Sequence, residues 1–269
     1  MTALAVKKEK ISKQRILFLG AGSAGLGIAN LLVSAMKLEG ITEAEAQSAI
    51  TLFDINGLIE TTRKALSPSQ KKYAKTHTPI KDLLEVINVF KPTILIGVST
   101  QGKAFNQKIV EAMAKLNDRP IIFALSNPTD KAECSAEEAY TWTKGKALFA
   151  AGVQFPNVKL GNKIFYPGQA NNFYIFPAVS LAIYATRPKH ITDDLFIEAA
   201  RATAAQVPPE DRVRGMMFPT QSNILETEVA TAIKVVEMIF NQNKATVERP
   251  KDIKRWLENK IYKPEYSAN

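Results

Sequence analysis

The sequence predicts a doubly wound α/β fold: a mainly parallel sheet covered by helices on both faces, with a helical C-terminal subdomain. Three observations predict it. Short unbroken apolar runs alternate with helical patterns from Arg15 to Ala151. A strand buried on both faces reads as such a run, and strand–helix alternation favours a parallel sheet. A glycine-rich turn, Gly20-Ala21-Gly22-Ser23-Ala24-Gly25, joins the first strand to the first helix. After Gly152 strand-like runs become scarce and helical periodicity takes over. The expected organisation is therefore a core over residues 1–152 and a helical part over 153–269 packed on the same domain.

Arg15–Leu19 is the first expected strand, and Ala24–Met36 is apolar at helical spacing. Thr42-Glu-Ala-Glu45 is a capping box opening a second helix, in which Thr and Glu satisfy each other's exposed amides. Ile50–Asp54 is the next strand. Leu83–Phe90 is helical, Thr93–Gly97 a strand, Phe105–Leu116 a helix and Pro120–Leu125 a strand. Ser135-Ala-Glu-Glu138 is a second capping box, opening a helix to about Thr143, and Ala147–Ala151 is the fifth strand. Beyond it, Ile175–Thr186, Asp193–Ala205 and Ile224–Asn241 read as helices, with Thr192 and Ser222-Asn223 as N-caps. A short helix follows Lys251.

Composition bounds the chemistry. The 269 residues are 46% hydrophobic and 23% charged, which excludes disordered and collagenous classes. No apolar run reaches the length of about eighteen residues that a membrane helix needs, so no membrane role is expected. The apolar stretch before Lys7 is too short for a secretory signal, and the location expected is cytoplasmic. The single cysteine, Cys134, makes neither an internal disulfide nor a cysteine zinc site. The formal charge of +9 is dispersed, and its local clusters, Lys7-Lys8-Glu9-Lys10 and Lys71-Lys72, lack interleaved aromatics. Nucleic acid is therefore not an expected partner, whereas anionic cofactors and substrates are.

The glycine turn is G-x-G-x-x-G in strand–turn–helix context, the fingerprint of a Rossmann-type dinucleotide site. The first glycine permits the turn, the second lets backbone approach a pyrophosphate, and the third brings helix against strand, with Gly27 extending that small face. The helix N-terminus offers free amides to the phosphates. Asp54, closing the second strand, stands where a carboxylate binds the adenine ribose, later than the usual spacing because Gly40–Ala49 adds a helical insert. A carboxylate there favours NAD, although Arg63, Lys64, Lys71 and Lys72 follow and could offset a 2′-phosphate.

Several segments together are more specific: Phe53–Ile59, Ile96–Ser99, Arg119–Thr129 with Ser-Asn127-Pro-Thr, Ala132-Glu-Cys134, and Tyr166–Pro177 with Pro-Gly-Gln-Ala-Asn171-Asn172. Their order and spacing resemble the C-terminal half of the malic enzymes, the NAD(P)-dependent decarboxylating malate dehydrogenases, and Lys263–Tyr266 resembles that family's ending. The resemblance implies that Gly20, Ala21, Gly22, Ser23, Ala24 and Gly25 cradle the pyrophosphate. It places Asp54 and Ile55 at the adenosine end and Gly97, Val98 and Ser99 beside the cofactor. Asn127 would contact nicotinamide ribose and substrate, and Asn171 and Asn172 the malate carboxylate; side-chain amides orient such groups without adding charge.

Two departures stand out. Phe149-Ala-Ala-Gly-Val-Gln154 replaces the family's Phe-Ala-Ser-Gly-Ser-Pro, and Ala170 replaces a glycine. Gln70 aligns where NADP-using relatives often carry lysine, with Lys71 next, so the cofactor is NAD or NADP with a lean to NAD.

In the family's reaction a lysine base assists hydride transfer from malate. A divalent Mg or Mn ion polarises the oxaloacetate, carbon dioxide leaves to give pyruvate, and a tyrosine acid protonates the enol. The resemblance places those residues in an N-terminal half that this chain lacks. The chain is accordingly expected to hold no catalytic or metal-binding residue, to be inactive alone, and to belong to a homo-oligomeric complete enzyme. A mitochondrial location stays open if a transit peptide has been lost. The other reading is a non-catalytic dinucleotide-binding or regulatory subunit needing a partner chain. A nucleic-acid binder ranks last.

Overall fold

The computed structural model describes residues 1–261; the Lys263–Tyr266 segment lies outside them. Nine strands occur among the described residues: β1 (Ile16–Leu19), β2 (Ile50–Asp54), β3 (Gly57–Leu58), β4 (Ile94–Gly97), β5 (Ile121–Ala124), β6 (Leu148–Ala151), β7 (Val158–Leu160), β8 (Lys163–Phe165) and β9 (Gly168–Gln169). The helices are α1 (Thr2–Lys7), α2 (Ser23–Lys37), α3 (Glu43–Ser48), α4 (Pro68–Lys71), α5 (Leu83–Phe90), α6 (Gln107–Leu116), α7 (Ala136–Trp142), α8 (Phe176–Thr186), α9 (Asp193–Ala205), α10 (Pro209–Val213), α11 (Ile224–Asn241) and α12 (Ile253–Glu258).

Seven strands form one sheet in the order β3-β2-β1-β4-β5-β6-β9. All neighbours are parallel except β3, which turns back antiparallel on β2. The chain moves outward from β1 to β2, then crosses back to β4 on the other side of β1. That reversal leaves a crevice beyond the carboxyl ends of β1 and β4, where α/β sheets bind ligands.

Strand register explains the core. Leu17, Leu95, Ile122 and Phe149 stand in one row across the sheet, and Leu19, Gly97, Ala124 and Ala151 in the next on that face. All but Gly97 join one apolar cluster with Val86 and Ile87 of α5, Ile109, Val110 and Met113 of α6, and Ala139 and Tyr140 of α7. Alternate residues point to the opposite face. Ile16, Ile50, Ile94, Ile121 and Leu148 are buried there too, so the central strands are covered on both faces, as the unbroken apolar runs predict. Both expected capping boxes form, at Thr42–Glu45 and Ser135–Glu138. A third, Ser67–Gln70, opens α4.

Two compact units divide the described chain. The first holds Met1–Asn171 and Val207–Phe218, so residues 153–171 and 207–218 go with the sheet, not with the helical part expected from 153 onward. The reason lies in backbone pairing. β9 extends the sheet beyond β6, with the Ala170 amide donating to Ala151 O at 2.7 Å, and the Tyr166 amide donates to Arg214 O at 2.9 Å. β7 and β8 form a separate hairpin in the same unit.

The second unit is Asn172–Gln206 with Pro219–Asn269, described here to residue 261. Ala178, Ala182 and Ala185 of α8 share a cluster with Leu195 and Ala199 of α9, Ala232, Val235, Val236 and Ile239 of α11, and Leu257 of α12. Its buried hydroxyls are satisfied: Thr203 Oγ1 and Thr231 Oγ1 lie 3.2 Å apart, and Gln206 Nε2 donates to Thr231 Oγ1 at 3.0 Å. Thr192 and Asn223 occupy the expected N-cap positions, yet neither side chain caps its helix. The Thr192 hydroxyl instead donates to Asp194 and accepts from Lys244.

Lys244 Nζ lies 2.8 Å from Asp194 Oδ2. Burial pushes the Asp194 carboxyl upward, but hydrogen bonds from Lys244, Thr192 and Gln242 outweigh it and hold the group down at about 2. A carboxyl whose folded value lies below its unfolded value binds fewer protons when folded, so stability rises with pH through that interval. Its contribution is full above the ordinary value of 3.8 and is lost as pH falls towards about 2. Acid unfolding of the second unit, followed by amide exchange over residues 193–205 and 224–241, is expected to lose that slope in Asp194→Asn.

Candidate functional site

Three turns at the carboxyl ends of β1, β4 and β5 converge at the crevice. Gly20 has φ +118°, and a Cβ there would lie 2.5 Å from Val98 O. A Cβ on Gly25 would lie 2.2 Å from Gly20 O. The first glycine is thus required by the turn and the third by helix–strand approach. Gly22 differs: a Cβ there would meet nothing within 4 Å, so no protein contact demands glycine. Gly22 is the N-cap of α2, and no side chain caps that helix. The Ser23, Ala24 and Gly25 amides precede the first intrahelical bond, from Leu26 N–H to Gly22 O, and carry the partial positive charge of a helix start. Gly22, Ser23 and Ala24 are exposed and Ala21 is buried. Gly27 is exposed with open space beside it, so the packing role expected of it is absent; the α2 face bearing it looks away from the sheet.

The turns after β4 and β5 are tied by a residue to which the sequence reading gave no role. Glu133 is fully buried. Its Oε1 accepts the Ser99 amide at 3.0 Å, the Ser99 hydroxyl at 3.0 Å and the Ser126 hydroxyl at 2.6 Å, while Oε2 accepts the Ser126 amide at 3.3 Å. Ser126 Oγ also accepts the Thr100 amide at 2.9 Å. A Cβ on Gly97 would fall 2.3 Å from Glu133 Cδ, so the carboxylate occupies the space a side chain would need. The signal was present in Ala132-Glu133-Cys134, an acid between two residues that bury. Cys134 is also buried, and burial pushes its thiol above the ordinary range, which makes it a packing group.

Asp54 ends β2 with both oxygens paired to Arg63: Nη1 to Oδ1 at 3.0 Å and Nη2 to Oδ2 at 2.9 Å. Oδ1 also accepts the Asn56 amide at 2.8 Å. Ile55 beside it is 84% exposed, an apolar side chain standing free at the end of the crevice. Gln70 reaches the glycine turn directly, its Nε2 donating to Ala21 O at 3.1 Å, while its Oε1 accepts the Ser67 amide at 3.0 Å in the capping box. Asn127 is exposed after β5, and its bond to Pro128 is cis. Asn171 is exposed just after β9. Asn172 opens the second unit in a 3₁₀ turn, Asn172–Tyr174. The structure therefore brings together the residues from β1, β4 and β5, with Asp54 at the neighbouring strand end.

A family model described as "Malic enzyme, NAD binding domain" matches residues 1–240. The chain belongs to the malic enzyme family. The NADP-dependent malic enzyme of Anas platyrhynchos is 41% identical over 270 residues, spanning 100% of this chain and 48% of that protein. The mitochondrial NAD-dependent malic enzyme of Ascaris suum is 41% identical over 267 residues, spanning 99% of this chain and 42% of that protein. The chain thus spans about half the length of the curated relatives it matches. The crystal structure of Entamoeba histolytica malic enzyme shares the fold, with TM-score 0.72 at 22% identity over 96% of this chain and 49% of that one.

Ala151 is fully buried in the apolar cluster and Val153 packs against the same cluster, so the 151–154 segment presents apolar groups in contact with core. Gly152 keeps its place because a Cβ would lie 2.2 Å from Leu125 O.

Replacing Glu133 with alanine leaves four donors without their acceptor, at about 1–3 kcal/mol for each that water cannot reach. Glu133→Ala is expected to lower the unfolding temperature and to speed amide exchange at 98–101 and 126–127. Glu133→Asp, one methylene shorter, should lose less.

Proposed function

We propose that this NAD(P)-binding malic enzyme domain serves an enzyme that oxidatively decarboxylates (S)-malate to pyruvate and carbon dioxide. The supporting observation is Gly22. Gly20 and Gly25 are explained by contacts within the protein, whereas Gly22 faces open space at an uncapped helix start. A pyrophosphate accounts for both features, since it needs close backbone approach and free amides. The residues present fit a dinucleotide, which when bound supplies the hydride acceptor. In this proposal Ala21–Gly25 hold the pyrophosphate, Asp54 the adenine ribose, and Ile55 lies along the adenine. Gly97–Ser99 and Asn127 line the nicotinamide end, and Asn127 and Asn171 orient substrate.

Gly22→Ala is expected to fold normally and to weaken NAD binding by tenfold or more, the cost of an obstructed phosphate contact of about 1.4 kcal/mol. Gly25→Ala should instead lose stability. Calorimetric titration beside thermal unfolding separates the two, and NAD binding undiminished in Gly22→Ala would remove the basis for the cradle.

We propose NAD over NADP. Arg63 is committed bidentately to Asp54, and Gln70 is neutral and held between Ala21 O and the Ser67 amide, so neither offers a free cation to a 2′-phosphate, while Lys64, Lys71 and Lys72 stand exposed to solvent. NAD should bind this chain about tenfold more tightly, corresponding to one unfavourable charge contact of on the order of 1 kcal/mol. Gln70→Lys should narrow the gap; tighter NADP binding by the unaltered chain would reverse the assignment.

Among the described residues no group of three or more His, Cys, Asp or Glu side chains could hold a metal ion, so they do not fit the family's divalent cation. We propose that the lysine base, tyrosine acid and metal ligands come from outside this chain. Malate should then produce no NADH with this chain alone, and turnover by it would refute that assignment. Supplying the N-terminal half of a malic enzyme in trans should restore activity.

A further inference from the structure

A second concavity lies at the opposite edge of the same sheet. Residues at the amino ends of β5 and β6, the β7–β8 hairpin and the C-terminal end of α10 line an open concavity of about 610 Å³. Five cations line it, Arg119, Lys144, Lys146, Lys163 and Arg214, and no acidic side chain does. All belong to the first unit. A four-residue parallel strand, about 13 Å long, separates this edge from the dinucleotide crevice at the carboxyl ends.

The surroundings are built, not incidental. Lys144 (φ 53°) and Gly145 (φ 76°) turn the chain sharply after α7, placing Lys144 and Lys146 on either side of a glycine. A Cβ on Gly145 would meet the Phe165 ring at 3.0 Å, and Phe165 stacks on Tyr140 with centroids 4.4 Å apart. Arg119 Nε donates to Lys146 O at 3.0 Å. Arg214 lies over the Tyr166 ring at 4.4 Å and donates to its hydroxyl at 2.7 Å. Behind this wall, beside Gly215, lies the Tyr140 hydroxyl, buried and without a hydrogen-bond partner.

The charges are largely uncompensated. Lys146 meets Asp118 only at 3.5 Å, and that acid is 90% exposed; Arg214 meets Asp211 at 3.8 Å. Arg119, Lys144 and Lys163 form no ion pair among the described residues. Like charges gathered around one concavity repel one another, and an anion relieves the repulsion while gaining charge-assisted hydrogen bonds. The volume falls in the range of small-molecule sites, about 300–1,000 Å³, well above what one phosphate fills. Ile164 and Val213, 47% and 78% exposed, add an apolar margin.

We propose that this cavity binds a small polyphosphorylated molecule, independently of the dinucleotide crevice. Lysines supply point charges to phosphate oxygens, and the two arginines supply planar donors.

Titration of the 269-residue chain with inorganic tripolyphosphate, orthophosphate and citrate at low salt tests it. With the glycine cradle kept occupied by saturating NAD, tripolyphosphate is expected to bind once, saturably, at least about tenfold tighter than orthophosphate, as summed charge contacts require. The Lys144→Glu/Lys163→Glu variant should lose that binding while keeping its affinity for NAD, and Gly22→Ala should show the reverse. Deuterium exchange on the unaltered chain should slow at 144–146 and 162–165 when tripolyphosphate is added, which decides the matter if the double variant fails to fold. The proposal is overturned by absence of saturable binding, by binding that survives the double variant, or by binding lost in Gly22→Ala. Citrate binding as tightly as tripolyphosphate would overturn the phosphate specificity.

Discussion

The buried carboxylate of Glu133 is the constraint on which the crevice depends. A buried charge is tolerated only when hydrogen bonds replace its water, and all four of its donors come from Ser99 and Ser126, one on each of two turns. Neither turn can settle alone. The carboxylate fills the space over Gly97, which excludes a side chain there. The next carbonyl, Val98 O, lies against Gly20, and Gly20 O lies against Gly25. A chain of close contacts thus runs from an acid in the loop after β5 to the start of α2. Three glycines are fixed along it by protein atoms, whereas a Cβ on Gly22 would meet nothing within 4 Å.

Most of the architecture was legible in the sequence because its signals are local. Apolar runs such as Ile94–Gly97 mark strands buried on both faces, and a capping box such as Thr42–Glu45 is contained within four residues. The strand–turn–helix context of Gly20–Gly25 likewise needs no distant information. What escaped depends on partners far along the chain. Glu133 takes its meaning from Ser99, 34 residues earlier, and Gln70 from Ala21, 49 residues earlier. β9 contributes two residues to the sheet, too few to carry a period, and its place is set by pairing with β6. That pairing keeps residues 153–171 with the sheet.

Asp54 illustrates a partial signal. Its position at the end of β2 follows from strand periodicity, but Arg63 grips both oxygens, which periodicity cannot reveal. The pair is one-fifth exposed on each side, enough burial to keep solvent from erasing it. Gln70 spends its amide on Ala21 O. The same side chains that would discriminate between cofactors therefore also hold the turn in place, and a substitution there alters preference and turn geometry together.

The basic charge carries a related lesson. The clusters visible in sequence, Lys7–Lys10 and Lys71-Lys72, do not line the concavity at the amino ends of β5 and β6. The five cations that do line it are drawn from positions between 119 and 214, and only Lys144 and Lys146 are near neighbours in sequence. Sheet polarity is what gathers them. Parallel strands send every β→α turn to one edge and every α→β turn to the other. Arg119 and Lys146 each sit two residues before a strand, so they reach the same edge as surely as Gly20, Val98 and Ser126, each just beyond a strand, reach the opposite one. A doubly wound sheet thereby separates two anion-attracting regions by the length of its own strands. As proposed, the dinucleotide edge would work through backbone amides and glycine, and the other through long cationic side chains, which can conform to an anion without any glycine-built cradle.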